Sequence, residues 1–301
     1  MPGLTLHFML AHRVLGRWQS TPEAAPFDPF EPADVNAFLH GSVGPDFGYL
    51  PGGCRVLSDL AHRVRTGQLT ERLIGSARTP VERAFAWGWL THVLADRLVH
   101  PWIGRGVGEL TLGSRDTFVA GAADLQSHLR VEIGVDCWYA AREVGARSVR
   151  LRPAFDEMSI NFLSHAYAAT YGFVPTRKSL LSSHVGVARR VGQALSSIHV
   201  VAALADRVSG PRKLPGLGWA LSAARKAGLL SATSVAYLSP VSPSAWLLDA
   251  IETVVPQHTE LFMAVYRNGG TDIGDFDLDT GQQLTRTPPD VRRGRVAVVT
   301  P

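Results

Sequence analysis

Residues 86–101 read Ala86-Trp87-Gly88-Trp89-Leu90-Thr91-His92-Val93-Leu94-Ala95-Asp96-Arg97-Leu98-Val99-His100-Pro101. The apolar residues predict a helix, starting from Pro80, a good first-turn residue, and stopped by Pro101 after His100. Polar residues nevertheless occupy one face of it. His92, Asp96 and His100 fall at i, i+4 and i+8 and so form a single stripe, with steps of about 6 Å. A second helical pattern, over 116–142, repeats the arrangement with His128, Glu132 and Asp136. A pair of ligands at i and i+4 on one helix face can grip a single metal ion, which is why this spacing matters.

Pair counting does not decide the matter. A chain with 11 His and 26 acidic residues supplies about one His-x-x-x-Asp/Glu pair by chance, and two are present. The surroundings carry more weight. Both pairs extend to a third polar residue, and both are set among Trp, Leu, Val and Ile. Buried charge without a partner costs several kcal/mol, so such stripes require either a metal or a dense hydrogen-bond network.

The rest of the chain supports an all-α, multi-helix reading, with short Gly/Pro punctuation. Helices are expected near Thr5–Trp18, Asp34–His40, Arg55–Arg65, Ala154–Tyr171, Ser179–Val208, Gly218–Leu229 and Ser244–Arg267. The segment from His40 to Gly53 holds too much Gly and Pro for regular structure and reads as a loop that fixes Asp46. One helical domain is expected over 1–268, followed by a C-terminal extension over 269–301, a hairpin or loop and a tail. In that extension Asp272, Asp275, Asp277 and Asp279 alternate with apolar residues. The spacing of a calcium loop is not met, because the Gly is displaced by one position and Arg286 stands where a Glu is required. A solvated hairpin or loop is the expectation.

Composition narrows the function classes. Hydrophobic residues are 46% and charged residues 19% of 301, which excludes a disordered chain. The net charge is +4, but only Lys178, Lys213 and Lys226 among the 30 basic residues are lysines, and the arginines are scattered. That pattern reads as codon usage rather than a nucleic-acid surface, so no stable nucleic-acid partner is expected. Two cysteines, Cys54 and Cys137, support neither a disulfide framework nor a Cys-rich zinc site. Metal chemistry must therefore run on His and carboxylate. No stretch reaches the ~18 apolar residues of a membrane span, and the first 18 residues lack a basic leader region, so a cytoplasmic protein is expected.

Five elements, in order, resemble the zinc-dependent phospholipase C family, whose helical fold is shared with single-strand-specific zinc nucleases. They are His7 on the first helix, the Pro45-Asp46-Phe47-Gly48-Tyr49 loop, His62 in Leu60-Ala61-His62-Arg63, the His92/Asp96/His100-Pro101 helix and the His128/Glu132 helix. The resemblance implies two to three Zn2+ ions. One site would use Asp46, His62, His92 and Asp96, a second His100, His128 and Glu132, and a third His7 with Asp96 as a bridging carboxylate. Secreted members complete the third site with a mature N-terminal Trp. Here residues 1 and 2 are Met and Pro, so the third metal either binds differently, through the terminus or waters, or is weak or absent. Asp136 is expected to orient a ligating His, and Phe47 and Tyr49 are read as pocket or core residues. His12, His40, His165, His184, His199 and His258 are expected to be packing or surface residues.

The activity implied is a hydrolase acting on a small-molecule or lipid phosphate ester, with Asp46 as ligand and general base for the attacking water. No general acid is evident. Alternatives are a family member retooled for another small-molecule reaction at the same metals, a single-strand nuclease, and a non-catalytic scaffold with a relic metal site.

Overall fold

The computed structural model describes residues 3–142, 151–156, 159–188 and 240–285. Helices α1 (Leu4–Ser20) and α2 (Pro32–Gly41) lead into a 3₁₀ turn, Gly44–Gly48. Then come α3 (Arg55–Arg63), α4 (Thr66–Ser76), α5 (Pro80–Leu112), α6 (Leu125–Arg142), α7 (Asn161–Tyr171) and α8 (Arg177–Leu181). A π turn (Ser182–Gly186), α9 (Ala245–Arg267) and a two-stranded hairpin, β1 (Phe276–Asp277) and β2 (Gln282–Gln283), complete the described residues. The fold is all-α. The expected helix Gly218–Leu229, and most of Ser179–Val208, lie outside the described residues.

Helix α5 organises the rest. Thr79 Oγ1 accepts the Glu82 N–H at 3.2 Å while Glu82 Oε2 accepts the Thr79 N–H at 3.0 Å, a reciprocal cap ahead of Pro80. The helix does not stop at Pro101, as its sequence suggested, but runs on to Leu112. Proline forfeits one backbone bond and costs ~3 kcal/mol in a helix interior. Burial of Ile103 and Val107 in the same apolar cluster as Ala95 and Val99 offsets that loss. On the other side, Trp18, Phe38, Phe85, Trp89 and Phe262 fill a larger aromatic cluster.

Two glycines let α2 lie against α5. A β-carbon on Gly88 would stand 2.0 Å from the Phe38 carbonyl oxygen, and one on Gly41 would stand 2.1 Å from that of Phe85. Backbones this close fix the loop that follows α2, which carries Asp46.

Other element bounds differ from expectation for local reasons. Arg65, at φ 50°, separates α3 from α4, a helix the sequence reading did not anticipate. Helix α6 begins only at Leu125, because Asp124 Oδ1 accepts the Ser127 N–H at 3.0 Å and so caps it. Asp156 and Ser159 exchange hydrogen bonds in a turn that delays α7 to Asn161.

The acidic segment after Asn268 does form a hairpin, with Phe276 opposite Gln283 and Asp277 opposite Gln282. It is not simply solvated. Ile273, Phe276 and Leu278 are buried, because Thr66 Oγ1 both donates to the Phe276 carbonyl and accepts its N–H, pinning the strand onto α4. Asp275 accepts both the backbone and the side-chain N–H of Gln68.

Candidate metal centre

Five imidazoles and three carboxylates converge on one face of α5, and all are buried. Their ligand atoms form three groups among the described residues: His7, His92 and Asp96; Asp46, His62 and His92; and His100, His128 and Glu132. Asp96 lies between them. Its oxygens are 3.1 Å from His7 Nε2, 3.2 Å from His92 Nε2, 3.5 Å from His62 Nε2 and 3.8 Å from His100 Nε2. In the last group, Glu132 Oε1 lies 3.2 Å from His100 Nε2 and 2.8 Å from His128 Nε2.

The helices and loops supply these atoms in register. The 3₁₀ turn presents Asp46, whose Oδ1 is 3.2 Å from His62 Nε2. His92 and His62 face each other, Nε2 to Nε2, at 3.2 Å, and His7 stacks on His92 with ring centroids 4.2 Å apart. His92 thus belongs to two groups, which the sequence reading had assigned to only one.

Three of the rings have a fixed tautomer. His62 Nδ1 donates to the Ser58 carbonyl at 2.8 Å, His92 Nδ1 to that of Ser42 at 3.1 Å, and His100 Nδ1 to that of Leu278. Each therefore holds its Nδ1 proton away from the cluster and turns Nε2 inward, the orientation of an imidazole that ligates through Nε2. The Leu278 contribution has no sequence signal, because any residue carries a carbonyl.

These atoms fit zinc. Ligands about 2.0–2.1 Å from a tetrahedral Zn2+ lie about 3.3 Å from one another, and most of the separations above fall near that value. Both oxygens of Asp46 and of Asp96, and Nε2 of His7, His100 and His128, are buried yet make no hydrogen bond among the described residues. Such orphaned atoms are costly unless something binds them. The donor set, imidazole plus carboxylate, is one that zinc accepts.

The charges respond to the crowding. Burial opposes ionisation of Asp46, but His92 and His62 outweigh it and hold the carboxyl below its usual range. Asp96 is held well below, against burial, by His92, His100, His62 and His7. Burial works against a charge on His62 too, yet Asp46 and Asp96 push it up to about 9, and Asp96 with Glu132 does the same for His100. Burial and His92 lower His7.

A cavity of about 340 Å³ opens onto His62, His100 and His128, and is bordered by Tyr49, Arg55, Arg63, Leu125 and Asp279. Tyr49 lines it and donates to Asp59 Oδ1 at 3.1 Å. Phe47 does not. It is fully buried against His40 and His184, because the turn that points Asp46 into the cluster points its neighbour into the aromatic core. Arg63 lies beside His62, its Nη2 3.6 Å from Asp279; the sequence reading gave Arg63 no role and placed Asp279 only in the acidic series of the C-terminal extension.

Asp136 takes a different place from the one expected. Among the described residues it makes no hydrogen bond to an imidazole. Its oxygens accept the N–H groups of Thr5 at 3.0 Å and Leu6 at 3.1 Å, capping the helix that carries His7. Gly3 makes room, since a β-carbon there would lie 1.9 Å from Asp136 Oδ1. Burial pushes this carboxyl up to about 7, even against the two backbone donors. Among the remaining histidines, His40 and His184 are packed in the aromatic core and His258 bonds the Thr91 carbonyl, while His165 is exposed. His199 lies outside the described residues.

Residues 6–176, more than half the chain, match the family of zinc dependent phospholipase C. The chain belongs to that family. All eight convergent side chains of the zinc-dependent phospholipase C domain fall within the matched span or on the loop and helices it contains, whereas the Leu278 hairpin lies beyond it. No curated protein and no solved structure matches the chain. Membership makes this a domain of a metal-dependent hydrolase family. No helix among the described residues is long and apolar enough to cross a membrane.

Proposed function

We propose that this protein is a zinc-dependent hydrolase of phosphate esters, holding two to three Zn2+ ions. The observation that carries the reading is the convergence of eight buried ligand atoms into three groups beneath one cavity. His100, His128 and Glu132 would hold one ion, Asp46, His62, His92 and Asp96 another, and His7 with Asp96 and His92 a third. Zinc bound there supplies Lewis-acid polarisation of the ester and lowers the pKa of water towards neutrality.

The chain's own groups do the rest. Asp46 stays ionised through neutral pH, and its Oδ2, free of hydrogen bonds among the described residues, is the acceptor for the proton of the attacking water. The carbonyls of Ser58, Ser42 and Leu278 hold the Nδ1 protons of His62, His92 and His100 outward, so Nε2 is the nitrogen each ring offers to an ion. Tyr49 and Arg63 border the cavity where the ester sits, with Leu125 as an apolar part of its rim.

The test is a screen of zinc-loaded protein against phosphodiesters, phosphomonoesters, short-chain phospholipids and single-stranded DNA, with chelator controls. Chelator-sensitive hydrolysis of a phosphate ester supports the reading. Hydrolysis of DNA alone would favour the nuclease, and zinc binding with uniform inactivity would favour a retooled reaction.

A further inference from the structure

The hairpin at 275–284 touches the metal cluster at several points, although it stands about a hundred residues beyond the matched part of the chain. The peptide of Leu278 spans two ligand-bearing helices: its N–H donates to the His62 carbonyl at 2.8 Å, and its carbonyl accepts the Nδ1–H of His100. Leu278 itself is fully buried. The next residue, Asp279, is 3.6 Å from Arg63 Nη2 and accepts the Ala122 N–H at 3.3 Å. A β-carbon on Gly121 would lie 2.7 Å from Asp279 Oδ1 and 3.1 Å from His128 Nδ1, so the glycine leaves room for both side chains. Gly281, at φ 71°, closes the turn against Pro101 and the Arg97 carbonyl, one helical turn around His100.

The hairpin therefore bonds directly to one imidazole of the His100/His128/Glu132 group, that of His100. His62 meets it only through a main-chain carbonyl, and the ring of His62 is oriented separately by Ser58. His92 is oriented by Ser42. We propose that the hairpin is a positioning element specific to the His100/His128/Glu132 site: Leu278 sets the tautomer of His100, and Asp279 with Gly281 seats the strand that does so. This rests on the zinc reading above. Removing such an outer partner of a ligating His costs 10–100-fold in metal affinity, so displacing the hairpin lowers occupancy of this site and leaves the Asp46/His62/His92 group filled.

Gly281→Val displaces the hairpin, since its β-carbon would stand 2.7 Å from Pro101 Cγ in a backbone conformation that disfavours branched residues. Full-length wild type, Gly281→Val and His128→Ala are titrated with zinc against a chromophoric chelator, with thermal melts alongside. The expected result is that Gly281→Val weakens, by about 10–100-fold, the same zinc equivalent that His128→Ala removes, and no other. Wild-type affinity at every site, or equal weakening of all sites in a folded variant, would overturn the proposal. Should Gly281→Val not fold, Asp279→Ala serves in its place. Independently of zinc, histidine ¹⁵N spectra of the wild type, taken above the pH near 9 at which the ring loses its charge, report His100 as the Nδ1–H tautomer; an Nε2–H tautomer would overturn the proposal. Wild type that binds no zinc defeats the metal reading instead, and the spectra still decide the tautomer.

Discussion

The main-chain carbonyl of Leu278 accepts the Nδ1–H of His100, joining residues 178 positions apart in the sequence. The bond places the last described segment of the chain against the helix that carries the first recognisable motif. It also means that the orientation of a candidate ligand is decided by a group with no side-chain identity. The candidate metal centre thus has two kinds of determinant, the side chains that could ligate and the backbone that aims them, and they are expected to respond differently to mutation.

Asp96 is the residue whose loss should spread furthest. Its two oxygens lie within 3.8 Å of four imidazoles, so one substitution touches all three groups. Asp96→Asn keeps the shape and removes the charge. Zinc content by mass spectrometry should fall by at least one ion per chain, and hydrolysis should fall with it by 100-fold or more, on the order expected for losing a metal-held charge. Full activity in Asp96→Asn would mean that the carboxylate does not bridge.

Asp136 offers a prediction about stability. Its carboxylate satisfies two buried N–H groups at the start of α1. Asp136→Ala leaves both unpaired and should lower stability by about 1–3 kcal/mol in urea unfolding. His7 sits on the same first turns, so the zinc group containing it should weaken as well. Asp136→Asn, which keeps an acceptor oxygen, should recover part of the loss. An unchanged urea midpoint in Asp136→Ala would show that the cap is not needed.

The contact between α2 and α5 tolerates no side chain. Gly88→Ala would place a methyl 2.0 Å from the Phe38 carbonyl oxygen, a main-chain atom that cannot rotate away. Overpacking of this kind costs about 1–3 kcal/mol, and separation of the helices also shifts the Asp46 loop. Thermal melting should fall by several degrees and zinc affinity should drop in parallel. Gly16→Ala, on the exposed face of α1 where a β-carbon meets nothing within 4 Å, is the matched control.

Acid should destabilise the fold through histidines outside the cluster. Burial lowers His184 to about 3 and His258 to about 4, against 6.5 for a free imidazole. The folded values lie below the unfolded one, so the stability tied to the neutral rings is complete above pH 6.5 and is lost as pH falls towards 4. Over that window each ring contributes a slope of about 1.4 kcal/mol per pH unit. Urea midpoints measured from about pH 7 down to about pH 4.5 should fall accordingly, and His184→Phe should flatten the slope. An identical slope in the variant would remove His184 from this account.

Much of the candidate centre was legible because its spacing is local. His92, Asp96 and His100, and likewise His128 and Glu132, share a face because α-helical geometry repeats every 3.6 residues, and the sequence reports that directly. Phe47 and Asp136 show where local reasoning ends. Whether Phe47 faces the cavity or the core depends on how the turn around Asp46 is seated. Asp136 stands on the same stripe as Glu132, yet its partners are main-chain N–H groups of a distant helix. Pro101 shows the same limit in the backbone. Its intrinsic preference is to end a helix, and only the buried apolar residues beyond it carry α5 to Leu112.

The sequence by itself determined that the chain is helical, that imidazole and carboxylate make up its candidate metal centre, and which pairs of them share a helix face. These properties depend on residue type and on neighbours within a few positions. The tertiary structure alone decided that His92 serves two groups, that Asp96 reaches four rings, that Asp136 caps α1, and that a hairpin beyond residue 270 aims His100. Those relationships rest on main-chain donors and acceptors and on close helix packing. Main-chain groups are the same at nearly every residue, so no pattern of side chains announces which of them will meet.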